Sequence, residues 1–132
     1  MRLEISTDYA IRILRLLYTR NDEMLTAMEI AQATDITYPV FTKIANQLRQ
    51  AGILKTTQGR YGGYVLGSPA HEISIYDVFL CMEGDLRINR CLENGELCAH
   101  GEHVSCKVHG LLHGLQDDLI KKLGSVSIAD LA

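Results

Sequence analysis

The chain has 132 residues, of which 47% are hydrophobic, and its formal net charge is −3. This length predicts one globular domain with an attached dimerisation element. No apolar run approaches the length of a membrane span, and residues 1–20 form an amphipathic stretch with dispersed arginines rather than a signal peptide. We therefore expect a cytoplasmic protein with no membrane partner.

The charges are unevenly distributed along the chain. A net negative charge argues mildly against nucleic-acid binding, but between residues 36 and 71 every formal charge is positive. A basic central segment in an acidic protein is typical of a local surface that binds a polyanion. The four charges of this segment are Lys43, Arg49, Lys55 and Arg60.

Residues 6–19 are predicted to form the first helix, because apolar side chains recur along them at helical spacing. Ser6 suits the N-cap position. Asp8 then lies in the first turn, where the helix dipole favours an acidic side chain. By this pattern alone, Asp8 is an ordinary helix-stabilising acid.

Two shorter helices are predicted next, with a tight break between them. A capping box at Thr26 and Glu29 opens the first. The second covers residues 39–51, because Pro39 fits only a first turn and Gly52 suits the position after the helix end. Such a pair predicts a helix-turn-helix. Four residues are expected on the buried face of its second helix: Val40, Phe41, Ile44 and Leu48.

Residues 53–57 and 64–66 are predicted to be two paired strands, joined by a glycine-rich turn at residues 58–63. Glycine allows the unusual backbone angles that such a turn needs. The turn matches neither of the common phosphate-binding glycine motifs. The predicted fold class is therefore mainly α with a small β-hairpin wing, that is, a winged helix-turn-helix followed by a C-terminal dimerisation helix.

A capping box at Ser74 and Asp77 predicts a further helix, up to residue 84. A long helix is predicted over residues 106–123, and we expect it to pair with the same helix of a second copy of the chain. The apolar residues of this long helix recur at spacings of three and four: Val108, Leu112, Leu115, Leu119 and Leu123.

Three of the four cysteines lie in one short loop with interleaved histidines. Several soft ligands in one loop indicate a zinc, Cu(I) or iron–sulfur site, since disulfides are rare in the compartment expected here. Cys81 lies apart from them in an apolar segment and is predicted to be a buried small hydrophobe. The loop cysteines are Cys91, Cys98 and Cys106, and the interleaved histidines are His100, His103 and His109, of which His100 and His103 are expected to be solvated.

The sequence contains no C-x-x-C pair and no Ser/His/Asp pattern, so we do not expect an enzyme. A thiol redox enzyme and a bare interaction module are the competing hypotheses from other functional classes. The predicted division of the chain is a winged helix-turn-helix domain at residues 1–84, a cysteine-rich loop at residues 85–105, and a dimerisation helix with a C-terminal turn at residues 106–132.

Several segments together carry a family pattern: Asp8-Tyr9-Ala10, Leu48-Arg49-Gln50-Ala51-Gly52, Gly59-Arg60-Tyr61-Gly62-Gly63, Ile73-Ser74-Ile75-Tyr76-Asp77, Glu83-Gly84 and the three loop cysteines. This combination resembles the Rrf2 family of bacterial winged-helix transcription regulators, over nearly the whole chain. The resemblance implies a homodimeric repressor that binds a pseudo-palindromic operator in double-stranded DNA.

In family members with three loop cysteines, the resemblance implies an iron–sulfur cluster that senses nitric oxide, iron or redox status. Cys91, Cys98 and Cys106 match these cysteines, although their spacing here is wider. We expect a [4Fe-4S] cluster, with [2Fe-2S] as the alternative. The fourth ligand is Asp8 of a partner subunit or His109, and the N-terminal pattern favours Asp8. A zinc site with the same cysteines, or thiol-based redox sensing, is the alternative to a cluster.

The resemblance also implies how the protein reads DNA. We expect the helix at residues 39–51 to enter the major groove and the wing to reach a narrow minor groove. Family members often carry arginine where Gln58 stands, so Arg60 is expected to replace it. The predicted DNA contacts are Tyr38, Thr42, Lys43, Arg49, Lys55, Arg60 and Tyr61.

Overall fold

The computed structural model describes residues 2–60, 62–93 and 106–132. In these ranges it contains five α-helices and one two-stranded antiparallel sheet. The predicted fold class is confirmed. The elements are α1 (Ile5–Thr19), α2 (Ala27–Thr34), α3 (Tyr38–Gln50), β1 (Leu54–Thr57), β2 (Gly63–Leu66), α4 (Ile75–Glu83) and α5 (Lys107–Gly124). Among these helices, none is both long enough and apolar enough to cross a bilayer.

The start of α1 is held by the end of α4 rather than by a cap of its own. Glu4 occupies the N-cap position without a side-chain cap, so the prediction that Ser6 caps this helix is wrong. The hydroxyl of Thr7, which is fully buried, donates to Oε1 of Glu83 at 2.7 Å. The backbone N–H of Glu4 donates to the same oxygen at 2.9 Å. One carboxylate therefore ties the two helix ends together.

The helix-turn-helix forms as predicted. The Thr26 hydroxyl accepts from the N–H of Glu29, and the Glu29 carboxylate accepts from the N–H of Thr26, which confirms the capping box. Between α2 and α3 the chain turns at Asp35, whose φ of 55° lies in the left-handed region that aspartate tolerates better than most residues. Pro39 lies in the first turn of α3, and Gly52 follows its end with a φ of 78°.

The core surrounds the inner face of α3. Val40 is wrongly predicted to be buried, because its Cβ lies beyond the edge of the stripe formed by positions 41, 44, 45 and 48. The other three predicted residues of this face are buried. The core residues contributed by α1, α3 and α4 are Ala10, Ile13, Leu14, Leu17, Phe41, Ile44, Ala45, Leu48, Ile75, Val78 and Phe79.

The wing is fixed to the core at its inner end. Tyr64 donates its backbone N–H to Leu25 O at 2.8 Å, and its ring meets the buried Phe41 ring edge-on at a centroid distance of 5.2 Å. At the outer end, Gly59 has a φ of 109°. Gly62 lies so close to the Thr57 carbonyl that a Cβ would clash with it. Both positions therefore need glycine.

The chain returns to the core after α5. Ile128 is fully buried, and its N–H donates to Ile73 O at 2.9 Å. The final turn is closed by Asp130, whose carboxylate accepts from the N–H and the hydroxyl of Ser127. These hydrogen bonds, the backbone one first, lower the pKa of Asp130. The C-terminal residues thus pack against the start of α4.

We predict that Thr7→Val destabilises the fold, because it removes a buried hydrogen bond to a charged carboxylate. The free energy of unfolding should fall by about 1.5–3 kcal/mol, measured by urea denaturation. Thr19→Val is the matched control, since that exposed hydroxyl donates only to Leu16 O in its own helix. Equal unfolding energies for the two variants would contradict the structural role of the Thr7–Glu83 hydrogen bond.

Candidate nucleic-acid interface and metal centre

The outer face of α3 is the surface that a helix-turn-helix presents to DNA. Pro39, Lys43, Asn46 and Gln50 are all exposed and recur at helical spacing, opposite the buried stripe. Of the predicted contacts, only Lys43 lies on this midline. This outer midline was predictable from the sequence, because it lies on the side of the helix opposite the stripe of buried residues.

Tyr38 and Thr42 lie beside this midline near the start of α3. The Tyr38 side chain is exposed. The Thr42 hydroxyl donates to Tyr38 O at 2.6 Å, inside the helix. A hydroxyl that donates within its own helix can only accept from a ligand. Thr42 is therefore suited to accept a hydrogen bond from a base but not to hold a phosphate.

The wing carries the other predicted basic contacts. Lys55 is exposed on β1, and Arg60 is exposed in the turn between the strands. Tyr61, also predicted to contact DNA, lies outside the described residues. The two described cations extend the positive surface of α3 along the hairpin, as the charge distribution in the sequence indicates.

A cleft of about 270 Å³ separates the second half of α3 from the wing. Arg49 lines it from the helix, and its Nη2 donates to Oδ1 of Asn46 at 3.4 Å. Thr57 and Gln58 line it from the wing, and Thr26 lines it from the start of α2. No carboxylate belongs to the described lining residues. Sequence reasoning found Arg49 as a DNA contact and missed Asn46, Thr57, Gln58 and Thr26.

Two of the predicted metal-ligating cysteines lie on elements that contact each other. Cys91 lies in a short 3-10 turn, Arg90–Leu92, which packs against α5. Cys106 is the N-cap residue of α5. Cys98 lies outside the described residues, as do His100 and His103. The structure thus brings together the two elements that flank the rest of the cysteine loop.

Each of the two described sulfurs accepts a hydrogen bond from an N–H group. Asn89 Nδ2 donates to Cys91 Sγ at 3.2 Å, and the backbone N–H of His109 donates to Cys106 Sγ at 3.4 Å. N–H donors directed at sulfur stabilise negative charge on it, and such bonds tune metal–sulfur clusters. Both cysteines are half-buried and are not in a disulfide.

The segment leading to Cys91 is anchored to α5 by a buried amide. Gln116 is 3% exposed, and its Oε1 accepts from the backbone N–H of Ile88 at 3.0 Å. Sequence reasoning missed this residue, because a polar side chain within an apolar helix stripe is normally taken to be solvated. Its burial fixes the position of residues 88–91 relative to Cys106.

The two predicted fourth ligands are placed differently. His109 lies in the first turn of α5, with Nδ1 buried. Asp8 lies on the exposed side of α1, where its carboxylate is 3.0 Å from Nε of Arg12. Within the described ranges, no three residues of the types His, Cys, Asp and Glu are grouped closely enough to hold a metal ion. A complete site thus requires donors from the loop or from another chain.

Cys81 packs against the core as predicted, although it is half-buried rather than buried. Its thiol donates to Gln47 O at 3.4 Å. Burial raises the pKa of this thiol. A thiol that stays protonated is a poor metal ligand and a poor nucleophile.

Comparison with known proteins decides the family. The family model described as Rrf2, iron-dependent transcriptional regulator, matches residues 3–132. The chain belongs to the Rrf2 family. It is 32% identical to protein aau3 of Rhizobium meliloti (strain 1021) over 132 residues, which cover 99% of this chain and 84% of that protein.

It is also 29% identical to the HTH-type transcriptional regulator NsrR of Shouchella clausii (strain KSM-K16), covering 99% of this chain and 90% of that one. Among solved structures, CymR (YrzC), the global cysteine regulator of B. subtilis, superposes with a TM-score of 0.80 and 25% identity. That match covers 100% of this chain and 96% of CymR. This Rrf2 protein is accordingly a DNA-binding transcriptional regulator, and its relatives give no support for an enzymatic role.

We predict that Gln116→Leu exposes Cys91, because the Ile88 N–H loses its acceptor and the segment opens more often. A loss of about 1 kcal/mol raises the open population about fivefold, so alkylation of Cys91 should accelerate by that factor. Mass spectrometry of labelled peptides measures the rate. Cys81 should remain slow in the same sample.

The matched control for this variant is Gln50→Leu, which changes an exposed glutamine on α3. It should leave the Cys91 rate unaltered. An equal effect of both substitutions on Cys91, or acceleration at Cys81 in Gln116→Leu, would indicate a general loss of stability and contradict the anchoring role.

Proposed function

We propose that this protein is a homodimeric repressor whose DNA binding is controlled by an iron–sulfur cluster held by Cys91, Cys98 and Cys106. The observation that carries the proposal is the pair of N–H to sulfur hydrogen bonds on two touching elements that flank the cysteine loop. Two sulfurs are thereby prepared for negative charge, and the third cysteine lies between them in the chain.

The donor set fits an iron–sulfur cluster. Thiolates are the usual ligands of such clusters, and the potential depends on hydrogen bonds to sulfur and on solvent exposure. Both described cysteines are half-buried, which limits but does not prevent access by a small oxidant or by nitric oxide. When bound, the cluster supplies iron that reacts with such molecules. The protein supplies the sulfur ligands and their hydrogen-bond donors.

We favour Asp8 of a second subunit as the fourth ligand, and a [4Fe-4S] cluster over [2Fe-2S]. The Asp8 carboxylate is about half exposed and can be reached by another chain. Arg12 pairs with Oδ2 of this carboxylate, so Oδ1 is the oxygen suited to bind iron. His109 is the alternative ligand, and its backbone already binds the neighbouring cysteine.

A ligand from the partner subunit would couple the cluster to DNA reading. α1, which carries Asp8, packs against α2, α3 and α4. If the cluster holds α1 of one subunit against the cysteine loop of the other, loss of the cluster changes the relative position of the two DNA-binding domains. A signal acts only through such a difference between two global states. The expected signals are nitric oxide, iron and redox status.

The exposed side of α5 supports the homodimer. Val108, Leu111 and Leu115 are each at least half exposed, and they recur at helical spacing. Leu112, Leu119 and Leu123 are partly covered by their own chain. The predicted stripe therefore divides into an inner and an outer row, and we assign the outer row to pairing with a second α5. The predicted division at residues 84 and 105 remains part of this proposal.

In the dimer, the two α3 helices read a pseudo-palindromic operator in double-stranded DNA. Tyr38 and Lys43 are suited to contact the major groove, with Thr42 as an acceptor. Lys55 is suited to bind phosphate, and Arg60, followed by Tyr61, is suited to approach a minor groove.

We predict that the protein purified without oxygen is coloured and that native mass spectrometry finds a dimer carrying iron and sulfide. Alanine at Cys91, Cys98 or Cys106 should abolish the visible absorbance, because each substitution leaves one iron without its protein ligand. Cys81→Ala is the matched control and should retain it. A colourless dimer with bound zinc would instead support the zinc-site alternative, and metal-free protein of unaltered DNA response would reject both.

We further predict that Asp8→Ala lowers cluster retention and that His109→Ala does not. The reason is that the Asp8 carboxylate is half exposed, whereas Nδ1 of His109 is buried in its own chain. Visible absorbance per protein dimer measures retention in anaerobic samples. Loss in His109→Ala with full retention in Asp8→Ala would reverse the assignment.

A further inference from the structure

The cleft between α3 and the wing has the chemistry of a site for an anion. Its described lining provides guanidinium, amide and hydroxyl groups and no carboxylate. Phosphate oxygens only accept hydrogen bonds, so a phosphate needs such a set of donors. The nearby acid Glu29, whose Oε2 accepts from the N–H of Thr26, is not among the residues that line the cleft.

Asn46 supplies a further donor beside Arg49. Its Oδ1 accepts from Arg49 Nη2 at 3.4 Å, so the two side chains are held together at the cleft. The amide Nδ2 and the remaining N–H groups of the guanidinium are then the donors of this pair. Such donors suit a phosphate, whose oxygens only accept hydrogen bonds.

We infer that Asn46 and Arg49, together with Thr57 and Gln58 of the wing, hold one backbone phosphate of the operator in each half-site. Two features of position support this. When α3 lies in the major groove and the wing in the adjacent minor groove, a sugar–phosphate strand runs between them. The cleft is the space between the same two elements.

This inference rests on the proposed DNA-reading function and assigns Asn46, Thr57 and Gln58 a role that the charge pattern alone does not indicate. This phosphate site fixes the angle between the wing and α3 on the duplex, because its residues contact the strand from both sides. It adds affinity at every sequence and adds no base preference. Specificity then depends on Lys43 and Gln50 of the outer midline of α3 and on Arg60.

The test uses fluorescence anisotropy with two labelled duplexes. One duplex is selected from a random-sequence library by the unsubstituted protein, and the other has the same composition in scrambled order. Asn46→Asp should weaken binding to both duplexes about tenfold, the effect of losing one hydrogen bond to a charged group. Asn21→Asp adds the same charge at an exposed asparagine outside the cleft and should change neither affinity by more than about twofold, as expected for a screened distant charge.

Two further measurements identify the phosphate. Arg49→Gln should reduce the slope of log affinity against log salt by about 0.9 per protomer. Among duplexes with single methylphosphonate substitutions, one position should weaken the unsubstituted protein and leave Arg49→Gln unaffected. An effect of Asn46→Asp confined to the selected duplex would show base reading and overturn the inference, as would no effect on either duplex. Failure of the unsubstituted protein to bind any duplex would reject the DNA-reading function itself.

Discussion

The carboxylate of Glu83 joins the two parts of the molecule on which the proposed sensing depends. It accepts hydrogen bonds from Thr7 and from the backbone of Glu4, and it is the last residue of α4. Directly after it the chain enters the segment that leads to Cys91. Asp8 follows Thr7 by one residue. The helix end that leads into the cysteine segment is therefore hydrogen-bonded to the start of the helix that carries the proposed fourth ligand.

The elements of the fold were predictable because each of them has a local chemical signal. Capping boxes at Thr26 and Ser74, a proline in the first turn of α3 and a glycine after its end are confirmed. The start of α1 was not predictable in this way. Its first turn is satisfied by Glu83, far away in the chain, and no local pattern reports a partner at that separation.

The same distinction between local signals and distant contacts holds for the residues of the candidate sites. Cysteines and basic residues stand out in the sequence. In the structure Lys43 and Lys55 are exposed, and Cys91 and Cys106 lie half-buried on elements that contact each other. Gln116 and Asn46 did not stand out, because the role of an amide depends on what it touches. Gln116 gains its role by burial, and Asn46 by its contact with Arg49. Such roles arise from tertiary contacts, which the sequence alone does not show.

An acidic protein with a basic reading face has a physical consequence for how it finds DNA. The rest of the chain carries all 16 acids and the other nine of the 13 basic residues, so its net charge is negative and repels the duplex, while the four central cations attract it. Because these cations are few, nonspecific affinity rests on few released counterions and falls less steeply with salt than for a strongly basic regulator. Discrimination between sites must then come from the placement of α3 and the wing. A cluster that shifts the two DNA-binding domains would therefore act on the larger share of the free energy of DNA binding.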